Sequence, residues 1–351
     1  MTQPLRSVLM SGGQGDAVMG ACGLHALLAL GMDVLAPDAV VYARSVAAPL
    51  VATMLDGVAV RSLRGASRPP KPRYYTSAGT SWSTVRHNWF GADWHVNFAE
   101  PRRRASTGYP APNVAARLRH WLTDAKLYGR FAWRRAGPAY YGLQMWAPLA
   151  ARRGATQIDL ARGFYLSYPI LRQRLRAKAA QCEPPPEGIP PIAIFPVGRS
   201  FQTLPPAFAA ALLAGHSSSD YALCLAPGES MIDAYRAAGL RCIETPTLDA
   251  MLAVIAGSRV VATVDSFGSH VAQLAAARHV ALMSHDLPLH TTHPAAPSEI
   301  VFEAMPCVPC HYVNRDVQSL CMAGHEWCGV FASPSYLAAA RGALDRALAT
   351  A

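Results

Sequence analysis

The sequence predicts an α/β protein built from two parallel-sheet domains. In both halves, short apolar runs alternate with helical patterns, and a helix that connects two strands usually makes them parallel. Between the halves, residues 181–191 contain five prolines and one glycine, a composition that does not fit regular structure. We therefore predict a first domain over residues 1–180, a linker over 181–191, a second domain over 192–333 and a C-terminal helix within 334–351.

The first half opens with a strand–turn–helix pattern. The predicted strand covers residues 7–10, the helix runs from about Ala17 to Leu30, and the next strand covers 40–42. Gly13 and Gly15 in the turn let the backbone approach a ligand closely, although neither G-x-G-x-x-G nor a P-loop is present. Asp16 begins the helix on the carboxyl side of the strand. From its position alone, stabilising the helix dipole is favoured over acting as a general base.

The second half repeats this alternation with clearer strands. Strands are predicted at 192–195, 221–225, 242–243, 260–264 and 279–283, with helices at about 205–214, 231–238 and 248–256. Asp265 follows the fourth of these strands, and a short turn then leads through His270 into an Ala-rich helix. Free backbone N–H groups at such a helix start suit a phosphate. The alternative is an ordinary strand–turn–helix in which Asp265 is the N-cap.

The segment at about 61–146 has a different composition. Aromatic side chains are followed by a basic stretch from Pro101 to Arg135, which holds nine basic residues and a single acid, Asp124. Such a pattern fits binding of sugar rings, bases or phosphates, whereas the alternative is a solvated basic surface whose aromatic side chains fill a local core. We predict an insertion here in the first domain.

Composition limits the partners and the location. The 351 residues carry a net charge of +10, which predicts an anionic partner but does not identify it. No apolar run reaches the roughly 18 residues that span a bilayer, and the N-terminus lacks the regions of a signal peptide. We expect a cytoplasmic protein, with a peripheral position at the inner membrane surface as a further possibility.

Four of the eight cysteines are clustered near the C-terminus. Cys307, Cys310, Cys321 and Cys328 have the spacing of a four-thiolate metal site, except that the second pair is widely spaced. His311 or His325 could replace one thiolate, and the alternatives to a metal are four thiols or disulfides. The expected cofactor is a structural zinc, with iron second, that pins an irregular loop over residues 288–329.

Together these motifs resemble the heptosyltransferase-like glycosyltransferase family 9, which has the GT-B fold of two Rossmann-like domains facing a central cleft. The resemblance covers most of the chain, is strongest over residues 9–30 and 192–283, and is weak over 61–160. It implies an N-terminal acceptor-binding domain and a C-terminal domain that binds a nucleotide sugar. The cysteine loop at 307–328 resembles a metal-bound loop of relatives that modify proteins.

The resemblance also implies roles for individual residues. Gly15-Asp16-Ala17-Val18 matches the family turn that carries the proposed general base, so Asp16 is the implied catalytic residue. V-D-S-F-G-S-H keeps the Asp-to-His spacing of the donor-binding segment, although Phe267 takes a glycine position. Gln202 stands where the family has a lysine, and Arg199 is the substitute for it. The implied donor-binding residues are Gly13, Gly15, Arg199, Ser200, Gln202, Gly228, Asp265, Ser266, Phe267, Gly268, Ser269 and His270.

The implied reaction moves a heptose or hexose, with inversion, from a nucleotide-diphosphate donor to a glycan, glycolipid or protein. No Asp-x-Asp motif is present, so no catalytic divalent metal is expected. Two alternatives remain: a glycosyltransferase that modifies DNA, and a non-catalytic module that binds a sugar nucleotide or nucleic acid.

Overall fold

The computed structural model describes residues 4–10, 14–43, 46–62, 74–76, 94–96, 140–198, 202–284, 286–305 and 326–351. The chain divides into two compact units: Met1–Leu171 with His293–Ala295, and Arg172–Thr292 with Ala296–Ala351. The division falls inside a helix, upstream of the predicted linker at 181–191. Those linker residues lie outside helices and strands, as the prolines require.

The first unit is organised on a parallel sheet. Its strands are β1 (Leu5–Met10), β2 (Leu35–Ala43), β3 (Ala59–Ser62), β4 (Tyr74–Thr76) and β5 (Trp94–Val96). Their order is β3-β2-β1-β4-β5, and the neighbouring strands pair in parallel. This is the Rossmann order, in which the direction of winding reverses between β1 and β4. Strands β4 and β5 fall inside the segment predicted as an insertion, which therefore contributes to this sheet.

Close helix packing builds the core of the first unit. Its helices are α1 (Gln14–Ala29), α2 (Ala48–Met54), α3 (Tyr141–Arg152) and α4 (Gln157–Ala179), the last of which continues into the second unit. Helix α1 is buried from Ala17 to Leu27, and Trp146 of α3 donates a 2.8 Å hydrogen bond to the Gly20 carbonyl. A Cβ at Gly23 would lie 2.2 Å from Trp146 Cδ1. Glycine is therefore what allows α1 and α3 to approach each other.

The substitution Gly23→Ala is expected to destabilise the protein. In a helix, alanine is more stable than glycine by up to about 1 kcal/mol. Here, however, the added methyl group would overlap the indole of Trp146, and such overpacking costs about 1–3 kcal/mol. Urea unfolding should therefore show a net loss of stability. Gly342→Ala is the matched control, because a Cβ there meets only the flexible end of Arg346. We expect Gly342→Ala to be neutral or stabilising, and equal effects of the two substitutions would contradict this account of the packing.

The second unit contains a six-stranded parallel sheet. Its strands are β6 (Ile192–Phe195), β7 (Tyr221–Leu225), β8 (Cys242–Glu244), β9 (Val260–Val264), β10 (Arg278–Leu282) and β11 (Ser298–Val301). Their order is β11-β10-β9-β6-β7-β8, which is again the Rossmann order, with the reversal between β6 and β9. Strands β6, β7 and β9 are buried throughout, as expected for strands covered on both faces.

Helices and one 3-10 turn connect and follow these strands. They are α5 (Pro206–Leu213), α6 (Ile232–Ala237), α7 (Leu248–Gly257), α8 (Phe267–Ala275), α9 (Pro288–Thr291), a 3-10 turn (Gly329–Ala332) and α10 (Pro334–Ala349). Helix α10 is the predicted C-terminal helix, and it packs within the second unit. Its Tyr336 hydroxyl donates a 3.0 Å hydrogen bond to the Met283 carbonyl, and Arg346 pairs with Glu299 at 2.8 Å.

The prediction of an irregular loop from 288 was wrong in its first part. Residues 288–291 form α9, and β11 pairs in parallel with β10 from Ser298 to Val301. The edge strand was missed because its sequence, S-E-I-V, is too short and too polar to stand out. Within the described ranges, we find no helix that is both long and apolar enough to cross a membrane.

A buried histidine links three strands of this sheet. His279 lies 2.9 Å from Thr263 Oγ1 through Nε2 and 2.8 Å from Ser298 Oγ through Nδ1. Burial, together with a smaller effect of the nearby His270, lowers the pKa of His279 to about 3. The folded state therefore keeps this ring neutral while the unfolded chain takes up a proton.

We expect the free energy of unfolding to fall as the pH drops below the ordinary histidine pKa of about 6.5, and to keep falling towards pH 3. The reason is that only the unfolded state binds a proton at this histidine between those two pH values. One such group contributes a slope of up to about 1.4 kcal/mol per pH unit. His279→Gln retains a hydrogen-bond donor and acceptor but cannot titrate, so its unfolding free energy should depend less steeply on pH between 4 and 6.5. Urea titrations at several pH values check this, and an unchanged slope would contradict it.

Candidate functional site

The site in the second unit lies where the winding of the sheet reverses. Strands β6 and β9 are parallel neighbours, with Ile192 opposite Val260 and Phe195 opposite Thr263, so their carboxyl ends meet at one edge. Open α/β sheets bind ligands in the crevice beyond the carboxyl ends of the strands at such a reversal. The predicted donor-binding segments follow these two strands directly.

The residues that follow β6 contact the end of β9. A Cβ at Gly198 would lie 2.8 Å from Gln202 Cβ and 3.3 Å from Val264 Cγ2, so the loop after β6 closes tightly over the end of β9. The Gly198 N–H donates to Thr203 Oγ1 at 3.2 Å. Gln202 is itself buried. The structure thus brings Gln202 and the segment that begins at Asp265 to the same sheet edge.

Helix α8 begins directly beyond β9. Its N-cap is Ser266, whose side chain makes no capping hydrogen bond to any described residue. The alternative with Asp265 as N-cap is therefore not what the structure shows. Asp265 is instead the last residue before the cap, with 7% of its surface exposed. The first N–H groups of a helix have no acceptor within the helix, so those of Phe267 and Gly268 can serve an anion.

The first turn of α8 lies against the end of β6. A Cβ at Gly268 would lie 3.5 Å from Phe195 Cβ, which is ordinary van der Waals contact with the end of β6. Ser269, in the same turn, is buried, and its N–H donates to the Ser266 carbonyl at 3.1 Å. The first turn of α8 therefore rests on the carboxyl end of β6.

His270 lies one residue further along and is held neutral. Its pKa is lowered to about 4, because the effect of burial outweighs the opposing effect of a hydrogen bond to the Thr291 backbone. The Nδ1 atom is buried and has no hydrogen-bond partner among the described residues. A neutral ring that donates through one nitrogen presents a lone pair on the other. His270 can thus accept a hydrogen bond, but near neutral pH it supplies no positive charge.

Sequence reasoning missed the segment that supports α8. The Thr291 carbonyl, which faces His270, also accepts a 3.1 Å hydrogen bond from Gln273 Nε2. In the same segment Asp286 Oδ1 lies 2.7 Å from His290 Nδ1 and accepts from the Leu287 N–H at 2.8 Å. This pair is almost fully buried. An aspartate and a histidine four residues apart after an apolar strand were the available signal, but the segment was assigned to a loop.

The predicted residues of the first unit lie at the corresponding place in its own sheet. Gly15 and Asp16 are in the first turn of α1, which follows β1 and therefore starts at the edge where β1 and β4 end. Asp16 is half-buried, and its carboxylate is placed favourably for the helix dipole.

Several predicted residues lie outside the described ranges. These are Gly13, Arg199, Ser200, Cys307, Cys310 and Cys321. Gly228 is described: it has a φ of 72° in an exposed turn after β7. Cys328 is buried, and its Sγ lies 3.5 Å from the Ser284 carbonyl. The described residues contain no group of three or more His, Cys, Asp or Glu that could hold a metal ion, and the proposed cysteine site is mostly outside them.

Two Rossmann-type units, each with candidate residues where its sheet reverses, define the class of fold. Among solved structures, the chain is similar to a glycosyl transferase family 9 protein from Veillonella parvula, with a TM-score of 0.53 and 10% identity over 100% of this chain and 99% of that chain. It is also similar to Escherichia coli ADP-heptose lps heptosyltransferase II, with a TM-score of 0.53 and 13% identity over 99% of each chain. No protein-family model and no curated protein matches the sequence. The chain therefore has the fold of glycosyltransferase family 9, and the predicted resemblance is confirmed at that level.

Proposed function

We propose that this protein is an inverting glycosyltransferase that takes a heptose or hexose from a nucleotide-diphosphate donor. The observation that carries the proposal is the edge at β6 and β9, where Asp265 and the N-terminus of α8 meet in a protein with the family 9 fold. The acceptor class that we propose is a bacterial glycan, a glycolipid or a protein.

In the proposed donor complex, the diphosphate lies at the N-terminus of α8. The N–H groups of Phe267 and Gly268 bind its oxygens, and the helix dipole adds to the attraction. Asp265 accepts hydrogen bonds from hydroxyl groups of the donor, and the neutral His270 can accept another. The cationic contribution comes from Arg199, which replaces the lysine of the family pattern.

In the proposed reaction, an acceptor hydroxyl oxygen attacks the anomeric carbon of the sugar from the side opposite the diphosphate. A bond forms between that oxygen and the carbon, the bond from the carbon to the diphosphate oxygen breaks, and the nucleoside diphosphate leaves with the electron pair. Asp16 takes the hydroxyl proton. The α8 N–H groups and Arg199 stabilise the charge that develops on the leaving group.

The test is a thermal-shift screen of the full chain against nucleoside diphosphates and nucleotide sugars. A ligand that binds only the folded state raises the melting temperature. At a free ligand concentration of a hundred times Kd, it adds about 2.7 kcal/mol to the free energy of unfolding. Release of nucleoside diphosphate is then measured with a panel of glycan, lipid and protein acceptors. Donor binding without turnover on any acceptor would favour a non-catalytic binding module, and failure to bind any of these ligands would contradict the donor site itself.

For the four-cysteine loop, we propose a structural zinc or iron held by Cys307, Cys310, Cys321 and Cys328. Four cysteine thiolates are a suitable ligand set for a closed tetrahedral site, which contributes to folding and not to the reaction. Metal analysis of the purified protein tests this, and fewer than about one equivalent of metal per chain would contradict it.

A further inference from the structure

The segment that follows β10 carries a buried polar pair, Asp286 and His290, to which no role has yet been assigned. Strands β9 and β10 are parallel neighbours whose last paired residues are Val264 and Leu282, so this segment leaves the sheet at the same edge as Asp265. The side chains of Asp286 and His290 are 0% and 1% exposed. The pair therefore lies at the edge proposed for the donor but is too deeply enclosed to bind a ligand itself.

One carboxylate oxygen of Asp286 connects the two ends of α9. Asp286 Oδ1 accepts a 2.8 Å hydrogen bond from the Leu287 N–H, where the helix begins, and lies 2.7 Å from His290 Nδ1 in the last turn. Helix α9 has only four residues, and isolated helices shorter than about 12 residues are marginal in water. Apolar residues often stabilise a segment as well as a buried ionisable pair does. What this pair adds is a fixed conformation of α9.

That conformation presents the Thr291 carbonyl to α8. Thr291 is the last residue of α9, directly after His290, and its carbonyl oxygen accepts a 3.1 Å hydrogen bond from Gln273 Nε2. His270 also bonds to the Thr291 backbone, and because this bond raises the pKa of the ring, the partner is the carbonyl. Residues three positions apart lie on one face of a helix. The Thr291 carbonyl is thus shared by two side chains of the helix proposed to bind the diphosphate.

The bond to Thr291 decides how His270 meets a ligand. A neutral imidazole has one N–H donor and one nitrogen with a free lone pair. The nitrogen that bonds to a carbonyl carries the proton, so the other nitrogen is left as an acceptor. A lone pair repels a phosphate oxygen but accepts a hydrogen bond from a hydroxyl group. Within a nucleotide sugar, His270 therefore fits a hydroxyl group and not the diphosphate.

We infer that Asp286 and His290 are positioning residues for the donor: through α9 they hold the Thr291 carbonyl against His270, which fixes that ring as an acceptor for a donor hydroxyl. This role rests on the proposed function, because its ligand is the nucleotide sugar proposed above. The pair acts by preorganisation, since a ring that is already fixed in its bound state loses less freedom when the donor binds. A merely structural pair would stabilise the fold without acting on His270.

The state of the His270 ring is measured in the ligand-free full chain by NMR of the ring nitrogens, assigned from the signals that His270→Ala removes. We expect one neutral tautomer in the unmodified protein and a mixture in His290→Ala. His290→Asn keeps an N–H close to the position of Nδ1 and should restore the single tautomer. If His290→Ala does not fold, Asp286→Asn, which weakens the same hydrogen bonds, takes its place. Unchanged His270 signals in the folded variant would overturn the inference.

Tyr336→Phe is the matched control for these spectra. It removes a different buried hydrogen bond at the end of β10, the 3.0 Å bond from the Tyr336 hydroxyl to the Met283 carbonyl. This variant should lose stability but keep the His270 signals of the unmodified protein. A change of the His270 tautomer in Tyr336→Phe would contradict a specific role of the Asp286–His290 pair.

Donor binding supplies the second measurement. His290→Ala should raise the Kd of the nucleotide sugar about two- to tenfold, which corresponds to one hydrogen bond between neutral groups, whereas His290→Asn and Tyr336→Phe should bind as the unmodified protein does. In a His270→Ala background, His290→Ala should have no further effect, because it acts through that ring. Equal losses in both backgrounds, or an unchanged Kd in His290→Ala, would overturn the inference.

Two ligands separate the possible sources of the hydroxyl group. A loss of affinity confined to the nucleotide sugar assigns the hydroxyl to the sugar, whereas an equal loss for the nucleoside diphosphate assigns it to the ribose. A failure of the proposed function shows earlier, because the unmodified protein would then bind neither ligand, and the inferred role would fall with it. A failure of the inferred role alone shows only in the variants.

Discussion

Asp16→Asn is expected to abolish sugar transfer while leaving donor binding intact. The substitution preserves the shape of the side chain but removes the group that would accept the acceptor proton, and loss of a positioned general base costs about 10²–10⁴-fold in rate. Release of nucleoside diphosphate with a productive acceptor measures the rate, and thermal shift with the donor measures binding. The effect should appear in kcat, because the base acts on the bound acceptor and not on the donor.

The control for this experiment must separate catalysis from helix stability. Asp16 lies in the first turn of α1, so its removal also costs about 0.3–1 kcal/mol through the helix dipole. A loss of that size is measured by urea unfolding and cannot explain a rate loss of several orders of magnitude. Asp38→Asn removes an exposed carboxylate from β2 of the same unit and should retain full activity. If Asp16→Asn turned over at the rate of the unmodified protein, Asp16 would have only the dipole role.

Much of the second unit could be predicted because its strands are continuous apolar runs. The bounds predicted for β6, β7 and β9 agree with the structure, since each of these strands is buried on both faces and is bordered by turn residues. Strand β11 was missed because an edge strand of this sheet is held by pairing with β10 and not by its own hydrophobicity. Periodicity carries no information about such pairing.

The order of the strands could not be read from the alternation of strands and helices. That alternation predicts parallel neighbours, but only long-range pairing shows that β9 lies beside β6 and not beside β8. This one placement brings Asp265 and the Gly198 loop to a shared edge. Motif reasoning selected residues at that edge because strand ends in α/β proteins are the usual places for ligands.

Two parts of the site depend on burial, which a single sequence does not display. His270 is among the residues predicted to bind the donor, and because burial keeps its ring neutral, a role as hydrogen-bond acceptor fits better than a role as cation. Asp286 and His290 were overlooked because their significance lies in being enclosed together. A sequence shows two polar residues four positions apart, which is an ordinary feature of a solvated turn.

Asp265→Ala is expected to weaken donor binding, whereas Asp16→Asn is expected to leave it intact. A hydrogen bond to a charged group contributes about 1.5–3 kcal/mol, so the donor Kd should rise about 10- to 100-fold. The donor Kd of Asp265→Asn should lie between those of the unmodified protein and of Asp265→Ala, because an amide retains one acceptor oxygen but loses the charge. Isothermal titration with the nucleotide sugar identified in the screen measures all three proteins.

A control must show that the rise in donor Kd comes from the position of Asp265 and not from the loss of any carboxylate. Asp220→Ala is the control, since Asp220 directly precedes β7 and so lies at the amino edge of the same sheet, away from the proposed site. Because Asp265 is buried, each variant is compared with its own ligand-free melting temperature, which removes any general loss of stability from the donor-induced shift. An unchanged donor Kd in a folded Asp265→Ala protein would remove this residue from the site. If Asp265→Ala loses the donor while Asp16→Asn keeps it, binding and proton transfer reside in different units of the chain, each at the place where its own Rossmann sheet reverses.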